Sequence, residues 1–114
     1  MIIELMVNDD VVGHAEISKS SNINFKLYCI PNDCKKAVVY LQRLEIYPKF
    51  KLNGFSKKLI TLVKEYADLN NFIICLDAMP LDRTTTSTVL YKIYKDNGFE
   101  HCSDHSFTYG VPHE

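Results

Sequence analysis

Apolar and polar positions alternate along the first half of the chain and repeat at helical spacing in parts of the second, so the change of period marks out the elements. Ile2–Val7 and Val11–Ser18 are apolar-rich runs separated by Asn8-Asp9-Asp10, whose side chains favour turns by bonding their own backbone; together they predict a hairpin. From Ile23 to Ile30, Ile23, Phe25, Leu27 and Cys29 alternate with Asn24, Lys26 and Tyr28, which predicts a third, half-buried strand. Pro31-Asn32-Asp33 interrupts it. Ala37–Tyr47, rich in Val, Tyr, Leu and Ile, predicts a fourth strand that ends at Pro48, which has no N–H to give to a ladder. Lys49–Asn53 is then a connecting loop.

After Gly54 the period lengthens. Phe55, Leu59, Leu62, Val63, Tyr66 and Leu69 follow helical spacing, Lys57, Lys58, Lys64, Glu65 and Asp68 fall on a solvated face, and Asn70-Asn71 stops the helix. Phe72–Ala78 is a short apolar run with a β-branched centre, as expected of a strand covered on both faces in mid-sheet. A second helix is bracketed by the hydroxyls of Thr84–Ser87 at its start and Gly98 past its end, with Val89, Leu90, Ile93 and Tyr94 as its apolar stripe. Phe99–Cys102 and Ser106–Val111 predict two short strands around a Ser103-Asp104-His105 bend. The order of strands, helix, strand, helix and strands predicts an α+β class with a mixed, mostly antiparallel sheet and two main helices.

Composition narrows the function more than the fold. A length of 114 residues predicts one domain, 1–114, and 46% hydrophobic with 24% charged residues excludes disordered and fibrous classes. A net charge of -1 gives no global field to hold a polyanion, so nucleic acid is not the expected partner. No apolar run approaches the roughly 20 residues of a membrane span, and no leader precedes Ile2-Ile3, so a cytoplasmic location with no membrane partner is expected. Cys29, Cys34, Cys75 and Cys102 lack the paired spacing of a metal site and are read as reduced, structural thiols. Cys102 beside His101 and His105 is too small a set of ligands for a metal, so none is expected.

The chemistry is concentrated between Leu44 and Leu59, where a strand ends, a loop turns and a helix begins at Gly54. Unpaired N–H groups and the partial positive charge of a helix start make an anion site, and a glycine there lets a ligand approach the backbone. Pyrophosphate is the natural guest. On the plainer reading Gly54 is a turn residue and Lys49, Lys51, Lys57 and Lys58 are solvated charges.

The segment resembles the GCN5-related N-acetyltransferase (GNAT) family, in which a V-x-P-like turn leads into R/Q-x-x-G-x-G/A at a helix start. Ile46 and Pro48 occupy the turn, Phe50 the usual aromatic, and Lys51-Leu52-Asn53-Gly54-Phe55-Ser56 the signature, with Lys51 for Arg or Gln, Leu52 for a common Gly and Ser56 for Gly or Ala. Tyr94-Lys95-Asp96-Asn97-Gly98-Phe99 resembles the family's late Y-x-x-x-G-F element, so the resemblance spans Leu44 to Phe99. It implies an acyl-CoA N-acyltransferase fold and acetyl coenzyme A (acetyl-CoA) as cosubstrate, its thioester lying between the fourth and fifth strands where they splay.

Residue by residue, the resemblance implies that an N–H of Leu44 or Ile46 bonds the acetyl carbonyl. The loop and helix start, Lys51, Leu52, Asn53, Gly54, Phe55, Ser56 and Lys57, would hold the pyrophosphate through backbone amides. Tyr94 corresponds to the general acid that protonates the departing thiolate, against the alternative that it is only core, as Tyr91 is read. Glu45 is the best-placed base, equally readable as a solvated strand residue, with His14, His101 and His105 as alternatives. Ser87 either contacts the cofactor or caps its helix.

Family members usually carry two helices between their first two strands, where this chain has only Asn8-Asp9-Asp10. The resemblance therefore implies an unusually open acceptor side, suited to a protruding amine on a macromolecule. That reduced plan and the Ala78-Met79-Pro80 exit resemble compact phage-borne anti-CRISPR acetyltransferases. The expected reaction moves an acetyl group from acetyl-CoA directly to a primary amine, foremost a protein lysine or N-terminal amine. A small-molecule amine, a non-catalytic acyl-CoA-binding or protein-interaction module, and a small nucleic-acid binder using Lys49, Lys51, Lys57 and Lys58 remain as alternatives.

Overall fold

The computed structural model describes residues 1–19, 23–51, 54–79 and 87–112. Strands β1 (Ile2–Val7), β2 (Asp10–Lys19) and β3 (Ala37–Ile46) precede helix α1 (Phe55–Asn70) and strand β4 (Phe72–Asp77). Helix α2 (Ser87–Asp96) and strands β5 (Glu100–Ser103) and β6 (Ser106–Tyr109) follow. The described residues form a six-stranded sheet in the order β1-β2-β3-β4-β6-β5, antiparallel except for the parallel pair β3 and β4. Two parallel neighbours need a long crossover, and α1 supplies it.

The amphipathic pattern of α1 decides which face of the sheet it covers. Leu59, Ile60, Val63 and Ala67 are buried against Val12, Ala15, Ile17, Val39, Leu41, Ile74 and Leu76, each large aliphatic side chain contributing about 1.5–3 kcal/mol by leaving water. The helix stops where Asn71 turns left-handed (φ 54°) and its N–H reaches back to the carbonyls of Ala67 and Asp68. β4 is covered on both faces, as its continuous apolar run predicted: Ile74 and Leu76 join the α1 core, while Ile73 and Cys75 meet Tyr28 and Ile30 on the other side.

The expected third strand does not form. Ile23–Ile30 folds instead as consecutive turns, with Leu27 N–H bonding the Asn24 carbonyl, Tyr28 and Ile30 N–H both bonding the Phe25 carbonyl, and Cys29 left-handed (φ 56°). Asn24 explains part of this, because its side chain accepts the Lys26 N–H at 3.1 Å and offers the backbone a local alternative to a ladder. Tyr28 and Ile30 are buried while Leu27 and Cys29 are exposed, the reverse of the alternation read from the sequence. The expected fourth strand is therefore β3. All four thiols are free, but of the four only Cys75 is fully buried. Where the expected Lys49–Asn53 loop begins, Pro48–Phe50 forms a short 3-10 turn closed by Phe50 N–H on the Tyr47 carbonyl at 2.8 Å.

Candidate active site

β3 and β4 are paired over only part of their length. Ala37–Tyr40 lie beside Phe72–Cys75, after which β3 keeps its partner on the β2 side alone and β4 continues against β6. The departure coincides with a bulge: Glu16 of β2 lies opposite Arg43 and Ile17 opposite Leu41, so Gln42 is an extra residue. The bulge also shifts the face alternation by one, which is why Leu41, Leu44 and Ile46 all pack into the α1 core.

Beyond the bulge the ladder fixes where the backbone polar groups point. Tyr47 N–H bonds the Val12 carbonyl at 2.8 Å, so in antiparallel pairing Glu45 and Arg43 also direct their N–H and C=O groups toward β2. Leu44 and Ile46 then direct theirs to the opposite edge, into the slot left by β4. Gly13 permits this close run of β2 past β3, because a Cβ there would collide with the Glu45 carbonyl.

The slot opens into a cavity of about 650 Å³ bounded by Leu44 and Ile46 of β3, Leu76 and Ala78 at the end of β4, the start of α1 and the Tyr94 face of α2. Gly54 caps α1 in the left-handed region (φ 72°), which explains the glycine; among the described residues no side chain caps the helix, and a Cβ there would meet nothing within 4 Å. The first turn of α1 carries Lys57 and no acidic residue, so the positive end of the helix dipole is left for an external anion to neutralise.

Tyr94 projects from α2 into this cavity and is 6% exposed. Its ring packs against Phe99 and Phe107 at centroid distances of 5.3 and 5.7 Å, and among the described residues none hydrogen-bonds its hydroxyl. Burial pushes the phenol up to about 12, so it stays protonated across the physiological range. Glu45 lies on the other face of β3, opposite His14 in register, with Oε2 accepting from Arg43 Nε at 3.1 Å. His14 in turn shares a 2.9 Å hydrogen bond between Nδ1 and the Tyr47 hydroxyl.

Of the residues singled out in the sequence, Leu44, Glu45, Ile46, Lys51, Gly54, Phe55, Ser56 and Tyr94 line the one cavity. Lys57 is exposed and does not line it, although it belongs to the first turn of α1. Leu52, Asn53 and the side chain of Ser87 lie outside the described residues. Tyr91 packs on Phe107 at 5.5 Å and its hydroxyl meets His105 Nδ1; His101 stacks on Phe107 at 4.8 Å, so both histidines belong to the β5–β6 end.

No family model and no curated protein matches the sequence. Solved structures do match the architecture. The anti-CRISPR protein AcrVA5 superposes with a TM-score of 0.65 at 19% identity, over 95% of this chain and 97% of AcrVA5. An acetyltransferase of the GNAT family from Listeria monocytogenes gives a TM-score of 0.58 at 20% identity, over 88% of this chain and 56% of its own. The fold is that of the GNAT acetyltransferases. AAC(6')-Iy, solved with the bisubstrate analogue CoA-S-monomethyl-acetylneamine, gives a TM-score of 0.60 at 22% identity, over 90% of this chain. The chain spans 63% of the length of AAC(6')-Iy, and the two-residue turn between β1 and β2 leaves no room there for additional helices.

One group of polar residues went unnoticed in the sequence. Asp77, at the end of β4, accepts hydrogen bonds from the hydroxyls of Tyr40 (2.7 Å) and Tyr28 (3.0 Å) on Oδ2 and of Ser106 (2.9 Å) on Oδ1. A carboxylate closing an otherwise apolar strand, Phe-Ile-Ile-Cys-Leu-Asp, was the available signal. Its partners come from three separate elements, and one is the turn that was expected to be a strand.

Proposed function

We propose that this chain is an N-acetyltransferase that moves an acetyl group from acetyl-CoA directly to a primary amine, with a protein lysine or N-terminal amine as acceptor. The observation that carries the reading is the half-open β3–β4 pair, which brings unladdered backbone groups, a buried phenol and an uncapped helix start around one cavity. The pyrophosphate would sit on the backbone amides of Gly54, Phe55, Ser56 and Lys57, with Lys51 and the 52–53 loop beside them. The thioester would lie in the slot, its carbonyl oxygen on the N–H of Leu44 or Ile46, where donors fixed in advance stabilise the charge that develops as the amine attacks.

The amine nitrogen forms the new C–N bond and the C–S bond of the thioester breaks. Glu45 takes the proton released by the nitrogen, and Tyr94 gives its hydroxyl proton to the departing thiolate. The structural neighbour AAC(6')-Iy was solved with a coenzyme A bisubstrate analogue, which supports the same cosubstrate here. The two-residue β1–β2 turn adds no helices to wall the acceptor side, and an open approach suits an amine presented on a macromolecule better than a small molecule needing enclosure.

Calorimetric titration with acetyl-CoA, followed by mass spectrometry of candidate protein acceptors incubated with it, tests the reading. Saturable binding and acetylation that disappears in Tyr94→Phe are expected. Bound acetyl-CoA with no acetylation of any acceptor would instead assign a non-catalytic acyl-CoA-binding module, for which Tyr94→Phe and Glu45→Gln leave biological activity intact.

A further inference from the structure

A second cavity, of about 500 Å³, lies on the face of the sheet away from α1, between Tyr28, Tyr40, Asn24 and Lys19. It shares two residues with the first, Gln42 and Asp77. These stand on either side of the slot, Gln42 at the bulge of β3 and Asp77 at the end of β4. The sheet is thus lined by a site on each face at the one place where its strands part.

From this arrangement we infer that Asp77 is the receptor for the acceptor's ammonium group and selects cationic amines, an inference that rests on the acetyltransferase reading. An ionised carboxylate offers about four lone-pair positions across its two oxygens. Two on Oδ2 are taken by Tyr28 and Tyr40 and one on Oδ1 by Ser106, which leaves one on Oδ1, and Asp77 is still exposed to the cavity. Three hydroxyl donors hold the carboxylate in a single orientation, and the two phenol rings that reach it stand edge to face with each other, their centroids 6.5 Å apart. An ammonium meeting that oxygen finds a fixed negative charge at the mouth of the slot through which it must reach the thioester.

Asp77 is suited to hold the cation and unsuited to deprotonate it. Burial alone would raise its pKa, but the hydrogen bonds from Tyr40, Ser106 and Tyr28 outweigh this and keep it below the usual aspartate value. Proton removal therefore falls to another group, and Glu45 occupies the same face on the opposite side of the slot. Two carboxylates in unlike surroundings, one binding and one accepting the proton, would divide the work.

The test uses two small amines with acetyl-CoA at pH 7.5, read by release of free thiol: n-butylamine, an ammonium that mimics a lysine side chain, and 2,2,2-trifluoroethylamine, which is uncharged. Asp77→Asn is expected to raise KM for n-butylamine about 10-fold or more, as loss of a charge-assisted contact does, with kcat and acetyl-CoA affinity little changed. KM for trifluoroethylamine should not move, and Asp77→Glu should recover part of the loss. A purely structural role for Asp77 would raise both KM values alike, and that result, or no rise in either, overturns the inference. Should Asp77→Asn not fold, or should the unmutated protein bind acetyl-CoA yet turn over neither amine, NMR titration of the unmutated, acetyl-CoA-loaded protein with n-butylammonium chloride decides. Saturable shifts at Tyr28, Tyr40 and Ser106 support the site and their absence overturns it, whereas missing turnover counts against the acetyltransferase reading alone.

Discussion

The two halves of the β3–β4 pair are built from the same two strands and do opposite things. In the half from Ala37 to Tyr40, beside Phe72 to Cys75, the strands satisfy each other's backbone, and Val39, Ile73, Ile74 and Cys75 are at most 1% exposed. In the half from Leu41 to Ile46 the strands have parted, one edge of β3 faces a cavity, and the side chains around it include a phenol, two carboxylates and a bulged glutamine. The closed half holds the fold, and the open half holds the residues to which the chemistry is proposed to belong. A single extra residue, Gln42, sits at the boundary between them.

The contrast can be broken from either side. Tyr94→Phe removes the donor in the open half and should lower kcat by roughly 10²–10⁴-fold, the usual contribution of a positioned general acid. Its unfolding free energy should stay within about 0.5 kcal/mol of the parent by denaturant titration, because the lost hydroxyl bonds no other described residue. Ile74→Ala in the closed half should do the reverse, costing about 2–5 kcal/mol of stability while acetyl-CoA affinity, measured where the variant is folded, is kept.

Gly54→Trp places a large side chain where the cavity meets α1 and forces a left-handed backbone on a residue with a Cβ. Acetyl-CoA affinity should fall by roughly 100-fold, equivalent to about 2.7 kcal/mol, in calorimetry. Lys57→Glu sharpens the contrast because its two effects have opposite signs. An acidic residue in the first turn should stabilise the free chain by about 0.3–1 kcal/mol in thermal unfolding while weakening the bound pyrophosphate.

The smallest effect is on pH dependence. Because the folded Asp77 has a lowered pKa, its stabilising contribution is complete above the unfolded value, about pH 4, and is lost as pH falls through the folded value. Acid titration of unfolding should therefore show an added loss below about pH 4 that Asp77→Asn removes.

Much of this was legible in the sequence. The periodicity placed both helices and the strand Phe72–Asp77, and the glycine at 54, followed by a helical stripe, marked the uncapped start of α1. Ile23–Ile30 was misread because its alternation is not that of a strand: a turn lays Tyr28 and Ile30 on a sheet face and buries them without joining the ladder. The same error concealed the Asp77 site, since Tyr28 reaches that carboxylate from a segment 49 residues away in the chain. The bulge at Gln42 was equally hidden: it is a property of the pairing between β2 and β3, and no residue in either strand announces it.

The most direct test of the account is residue-resolved amide hydrogen exchange along β3, with and without acetyl-CoA. Arg43 and Glu45, whose backbone groups face β2, should be protected in both states, while Leu44 and Ile46 should exchange fast in the free chain and become protected when acetyl-CoA binds. If Leu44 and Ile46 are already as protected as their neighbours, or stay unprotected at saturating acetyl-CoA, the open half of the pair is not the site described.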